Sequence, residues 1–167
     1  MNKPGFAYVT YIHSTADAVW RALTDGEVTK SYWSNHRNSS DWKSGSEWRH
    51  EDYDDPAIID VVGTVVESAP PRRLVVTWAS PRDAASPGKH SRVTYDILED
   101  TGVVRLTVTH DDLEPGSGME YGITHGWPVV LSNLKSFLET GSALPPIRDR
   151  EDGRWKQVRF AQVGATS

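Results

Sequence analysis

The chain has no cysteine, which excludes disulfides, thiolate metal sites and a cysteine nucleophile. The opening residues Met1–Gly5 carry no apolar run of the signal-peptide kind. No later stretch reaches transmembrane length. The expectation is a cytoplasmic protein with no membrane partner. A formal net charge of −5 offers no field that would gather nucleic acid, so no nucleic-acid partner is expected. Internal repeats and low-complexity segments are also missing. Among catalytic motifs, no HExxH, EF-hand loop, nucleophile elbow or dinucleotide fingerprint occurs, and Gly116-Ser117-Gly118 lacks both the third glycine and the strand-to-helix setting. The expectation is therefore no metal and no cofactor.

The chain does have tryptophan, seven residues in 167. Indoles bury a large area and carry one donor, so they are usually spent on a core or a binding surface. A chain of this length fits one domain that can bury a core without staples. Charge is uneven. Residues 147–167 hold five basic groups (Arg148, Arg150, Arg154, Lys156, Arg159) against three acidic ones, while residues 1–146 hold 13 basic and 20 acidic groups. This divides the chain into a domain over 1–144 and a charged tail over 145–167. The tail either folds back on the acidic body, meets a second subunit, or is solvated and partly disordered.

Patterning predicts a strand over Phe6–His13. Ser14-Thr15-Ala16-Asp17 has the form of a capping box, with Ser14 accepting from the Asp17 amide. The helix after it turns Ala16, Val19, Trp20 and Leu23 to one side, and a short helix spans about Glu27–Trp33. Residues 34–46 are polar and turn-rich and are assigned to a loop. Five strands follow, over Ser46–Asp52, Ile58–Ser68, Arg72–Ala79, Ser91–Glu99 and Val103–Leu113. Gly63 marks a bend or bulge in the second of these, and Asp100-Thr101-Gly102 is a tight hairpin. The alternation places Trp48 and His50, Leu74, Val76 and Trp78, Val93, Tyr95 and Ile97, and Val104 to His110 on one inward face. From Met119 the period becomes helical, with Ile123, Trp127, Val130, Leu131, Leu134, Phe137 and Leu138 in a stripe. Pro128 either lies in the first turn of this helix or kinks a longer one. Gly141 ends it.

This order specifies an α+β fold: a curved antiparallel β-sheet wrapped around a long C-terminal α-helix, with two short helices after the first strand. It resembles the helix-grip fold of the START and pollen-allergen superfamily (SRPBCC). Three segments resemble its branch of homologues of the activator of heat-shock-chaperone ATPase. They are Ser14–Asp25, Gly63–Glu67 with Pro70–Trp78, and Gly126-Trp127 with Leu131, Leu134 and Leu138. The resemblance covers residues 6–141 and rests on caps, turns and core stripes. It implies a space between sheet and helix used for apolar ligands or adapted to catalysis, and a link to the stress response. A chaperone partner follows from family analogy alone.

Trp48, His50, Trp78, Tyr95, His110 and Trp127 are the candidate ligand-binding residues. The aromatics would give apolar contact and the histidines would fix a polar end. Equally, the rings simply fill the interior and the histidines are satisfied core residues. Trp33 and Trp42 flank the polar loop and either close the mouth of the cavity or serve surface contact. His13, His36 and His90 receive no role, and His125 lies off the helical stripe. The acidic runs Glu51–Asp55 and Asp111-Asp112 suit solvated loops. The leading expectation is a noncatalytic protein that binds a small hydrophobic ligand. A cavity-based cyclase, dehydratase or hydrolase using His50 or His110 is the alternative, as is a cochaperone-like interaction module. A homodimer is left open.

Overall fold

A computed structural model describes residues 3–145, together with the strand segments 148–151 and 154–157. The chain order is β1 (Phe6–His13), α1 (Ala16–Thr24), α2 (Gly26–Tyr32), β2 (His36–Ser39), β3 (Glu47–Asp52), β4 (Ile59–Ala69), β5 (Arg73–Trp78), β6 (Ser91–Asp100), β7 (Val103–Asp111) and α3 (Gly118–Thr140). Seven strands form one antiparallel sheet in the order β1-β7-β6-β5-β4-β3-β2. The helix-grip α+β expectation is met. Beyond the domain, β8 (Arg148–Glu151) pairs antiparallel with β9 (Arg154–Gln157). How the tail sits against the domain lies outside the described residues.

The inward face follows the sequence pattern. Leu74, Val76, Trp78, Val93, Tyr95, Ile97, Val104, Leu106, Val108 and His110 are all buried. The stripe Ile123, Trp127, Val130, Leu131 and Leu134 on α3 closes over them. Apolar burial on both layers is the main stabilising term. The β6–β7 turn places Thr101 at φ 51° and Gly102 at φ 81°, the left-handed pair that a two-residue hairpin needs.

Several local expectations are corrected. Thr15, not Ser14, caps α1, accepting from the Ala18 amide at 3.2 Å. Glu99 on β6 supplies a second acceptor, for the Ala16 amide at 2.6 Å. The loop expected over 34–46 contains strand β2, whose polar residues pair with β3 from His36↔Asp52 to Ser39↔Arg49. Hydrogen bonding of Asn38 to α1 and α2 fixes it there (Asn38 N to Thr29 Oγ1 3.0 Å, Asn38 Nδ2 to the Leu23 carbonyl 3.1 Å), a tertiary pull that local pattern does not show. Of the two placements expected for Pro128, the structure has the second: helix α3 runs from Gly118, so Pro128 sits inside a longer helix and leaves the Thr124 carbonyl without its helical amide. Val75 is buried although it lies opposite Leu74 and Val76.

Gly63 is not a bulge residue. The two register shifts in β4 fall at Asp60 and Val66. Gly63 instead allows a close crossing: a Cβ there would overlap the Thr77 carbonyl oxygen and Trp48 Nε1. Through that gap the Trp48 indole donates to the Thr77 carbonyl at 2.8 Å. Gly63→Ala is therefore expected to destabilise the domain by about 3 kcal/mol or more, from overpacking combined with a lost buried hydrogen bond. Urea unfolding monitored by tryptophan fluorescence measures it, and a change within about 0.5 kcal/mol would refute the close-crossing role.

Candidate functional site

Six residues were expected to line a site, and the fold brings them together. Trp48 and His50 come from β3, Trp78 from β5, Tyr95 from β6, His110 from β7 and Trp127 from α3. Each is at most 3% exposed. Trp33, at the C-cap of α2, stands among them rather than at a mouth. Its ring centroid lies 4.8 Å from His50, 6.3 Å from Trp78 and 5.6 Å from Trp127. Trp48 and Trp78 are 5.2 Å apart, Trp78 and Trp127 5.7 Å, and Tyr95 and Trp127 5.9 Å. These are contact spacings of tilted and edge-on aromatic pairs, each contributing about 0.5–1.5 kcal/mol beyond area burial. Trp42 packs on Trp48 at 6.5 Å and donates its indole N–H to the Thr24 carbonyl at 2.7 Å.

The His110 ring is held at both nitrogens. Trp127 Nε1 donates to Nδ1 at 3.1 Å, so the proton is on Nε2, which faces Ser91 Oγ at 2.8 Å. The Ser91 hydroxyl in turn donates to the Trp78 carbonyl at 3.0 Å. Donors and acceptors match along the whole line, and one tautomer satisfies it. Burial pushes the His110 pKa down to about 3, so the ring is neutral.

His50 is held from the other side. Asn38 Nδ2 donates to the Leu23 carbonyl, which leaves Asn38 Oδ1 to accept from His50 Nδ1 at 2.8 Å. The Nε2 lone pair of His50 is thereby kept as an acceptor. Its pKa also falls to about 3, chiefly through burial and secondly through the positive charge of His36. The His36 ring stacks on His50 at 4.9 Å. It contacts Asp60 Oδ2 through Nε2 at 2.7 Å and the Ser34 carbonyl through Nδ1 at 2.7 Å. Two acceptors demand two protons, so His36 is the imidazolium. Burial opposes this charge, but the Asp60 and Ser34 hydrogen bonds and the nearby carboxylates raise its pKa overall. Asp60 is the extra residue of the first β4 bulge, and that bulge turns its carboxylate toward β2. The next register position on β3, Glu51, was expected outward but is buried and accepts from Arg37 Nε at 2.8 Å.

An open cleft of about 310 Å³ lies on the outer side of the β3–β4 ribbon. Ile59, Val62, Gly63 and the edge of Trp48 form its apolar floor. Ala84 and His90, from the β5–β6 connection, form one wall, and Glu47 and Arg49 stand at the rim. Of the six expected site residues, Trp48 alone reaches this cleft. Sequence reading placed Trp33 at the mouth rather than inside the cluster, and missed His36, Asn38, Ser91 and the cleft. His36, Asn38 and Ser91 act through partners distant in sequence and carried no signal of their own. Among the described residues, no group of three or more His, Asp or Glu could hold a metal ion, and no helix is long and apolar enough to cross a membrane.

Comparison with known proteins gives this arrangement its relatives. Residues 13–139 match the family model described as Activator of Hsp90 ATPase homolog 1-like protein. The chain belongs to that family. The fold is shared with solved structures at low sequence identity. A protein of Plasmodium falciparum described as an Hsp90 activator (PFC0360w) aligns at TM-score 0.67 and 18% identity, over 80% of this chain and 95% of that one. CalU16 from Micromonospora echinospora, solved in solution, aligns at TM-score 0.68 and 17% identity, over 97% and 81%. The Aha1 dimer from Colwellia psychrerythraea aligns at TM-score 0.67 and 17% identity, over 83% and 98%. Comparison with curated protein sequences returns no match.

Two neutral buried histidines set a pH dependence. Unfolded, each titrates near 6.5, and folded, near 3. Below pH 6.5 the unfolded chain binds more protons, so stability falls as pH falls. The loss approaches about 2 kcal/mol per histidine at pH 5. His36, whose pKa is raised, acts in the opposite sense: its contribution is complete below pH 6.5 and is lost as pH rises through its folded pKa. Urea midpoints measured from pH 7 to pH 4 should fall, and less steeply in His50→Asn. A flat profile would mean that the buried rings accept protons.

Proposed function

We propose that this member of the family is a noncatalytic binding module for a small apolar or aromatic molecule, and that the molecule docks in the outer cleft against Trp48. The observation that carries this reading is the continuity of the cleft with the core. Trp48 lies on the cleft floor and also packs on Trp78, so an occupant of the cleft touches the aromatic cluster that runs to Trp127. A mainly apolar concavity with a few polar groups at its rim is the ordinary form of a small-molecule site. His110 spends both nitrogens on Trp127 and Ser91, and His50 is fixed by Asn38. Neither is arranged as a proton shuttle poised near neutral pH, which supports binding over catalysis.

Trp78 is a poor place to test this reading. Its side chain is fully buried, and truncation to alanine would cost about 3–5 kcal/mol. Ala84 is exposed on the wall of the cleft, so Ala84→Trp would fill the cleft without replacing a core residue. The test is titration with 1-anilinonaphthalene-8-sulfonate, read by tryptophan quenching. Saturable binding by the native chain and at least a tenfold loss in Ala84→Trp are expected. No saturable response in the native chain, or equal affinity in the variant, would overturn the cleft assignment.

The family's description favours a second reading, a module that contacts an Hsp90-type chaperone. Adding the chain to a purified chaperone of that type separates the two. An accelerated ATPase rate supports contact, and an unchanged rate with no complex on gel filtration removes it.

A further inference from the structure

The outer cleft carries two charges that the fold does not use. Glu47 and Arg49 alternate with the buried Trp48 and His50 along β3, so both stand on the outer face, and both are exposed. Among the described residues neither has an ion-pair partner, whereas Arg37 is paired with Glu51, and Arg73 with Glu67 and Asp96. The register sets them apart: Glu47 lies opposite Thr64, and Arg49 opposite Val62. One end of the cleft floor is thus beside a guanidinium and the other beside a carboxylate, about 7 Å further along the strand.

His90, on the wall of the cleft, adds an acceptor. Its Nε2 lies 3.0 Å from the Asp83 carbonyl. A carbonyl only accepts, so in the neutral ring the proton is on Nε2 and Nδ1 carries the lone pair. Among the described residues nothing donates to that Nδ1.

These groups differ in what they ask of an occupant. Arg49 presents a planar fork of N–H donors that matches a carboxylate. Glu47 repels the same group, so a carboxylate is accepted at the Val62 end and refused at the Thr64 end. His90 Nδ1 asks for a hydrogen-bond donor, which a phenolic hydroxyl supplies without adding a charge. Between them Ile59, Val62, Gly63 and the edge of Trp48 offer mainly apolar surface. The net charge of −5 does not bar an anion, because at physiological salt its field is screened beyond about 8 Å.

We infer that the occupant of the outer cleft, taken as the docking place proposed above, is a hydroxylated aromatic acid. Its carboxylate pairs with Arg49, its ring lies on the Val62 and Trp48 floor, and its hydroxyl donates to His90 Nδ1. A cleft of about 310 Å³ is at the small end of ligand pockets, which suits one or two fused rings rather than a long chain.

The test is isothermal titration calorimetry of the full chain at pH 8 with three probes of one shape: 2-naphthoate, its neutral amide 2-naphthamide, and 6-hydroxy-2-naphthoate. The native chain should bind the acid about fivefold or more tighter than the amide. The hydroxy acid should bind tighter again, by about threefold or more. In Arg49→Gln the acid-to-amide ratio should fall to about one, and in Arg49→Lys part of it should remain. In His90→Phe the gain from the hydroxyl should vanish while the acid keeps its preference over the amide. Equal affinities of acid and amide for the native chain, or a ratio that persists in Arg49→Gln, would overturn the inference and leave the cleft as an apolar site. So would a hydroxyl gain that persists in His90→Phe. Binding of none of the three probes would remove the cleft reading as well.

Discussion

The line of hydrogen bonds from Trp127 through His110 and Ser91 to the Trp78 carbonyl is the constraint on which the rest of the structure depends. It joins α3, β7, β6 and β5 inside an otherwise apolar interior, where each bond is strong and each unmade one is costly. Because His110 can satisfy this line in only one tautomer, the helix is held in one rotation and depth against the sheet. Apolar packing alone would tolerate small slides of a stripe built from leucine, valine and isoleucine. A neutral histidine with both nitrogens engaged does not. The aromatic cluster owes its fixed geometry to this polar thread, since Trp127 and Trp78 are its two ends.

The second buried histidine solves a different problem. Strand β2 has no apolar face of its own, and it is held by polar contacts: Asn38 with α1, α2 and His50, and His36 with Asp60. The bulge that turns Asp60 toward His36 neutralises a half-buried imidazolium and sets a positive charge beside His50. That charge adds to burial in keeping His50 unprotonated. The two histidines stack, but only one carries charge, and the division is set by their neighbours rather than by the rings themselves.

Most of the fold was legible in the sequence because it follows from periods. The alternations in β3 and β5–β7 and the helical stripe from Ile123 to Leu134 identify the inward face through residues that also prove to be buried, while Phe137 and Leu138 at the end of the stripe are partly buried. Strand β2 was not legible, since His36–Ser39 has neither alternation nor branched side chains and is a strand only because Asn38 reaches two helices. The cap moved by one residue, to Thr15: the Ser14 amide is spent on the Gly102 carbonyl, and Glu99, more than 80 positions away, accepts from the Ala16 amide. Gly63 signalled an irregularity, but its meaning depended on Trp48 and Thr77, which sequence cannot place beside it. Of the candidate site, the six aromatic and histidine positions converge as expected. What the pattern could not convey is that their rings pack against one another and that, among them, only Trp48 reaches the cleft beside Gly63.

That displacement has a structural cause. The half of the sheet formed by β1, β7, β6 and β5 has continuous ladders and is sealed from inside by α3. The ribbon of β2, β3 and β4 turns away from it, with register shifts at Asp60 and Val66 on either side of Gly63. Between the Val62–Ala79 bridge and the Val65–Val76 pair, the β4–β5 ladder gives way to the Trp48 indole donating to the Thr77 carbonyl and the Thr64 amide donating to the Thr77 hydroxyl. Side chains therefore do the work of backbone pairing where Trp48, a member of the interior aromatic cluster, reaches the cleft. An interior so closely filled by rings communicates with solvent where backbone pairing is interrupted, and the cleft beside Gly63 is such a place. The fold's regular half supplies rigidity, and its irregular half supplies the opening.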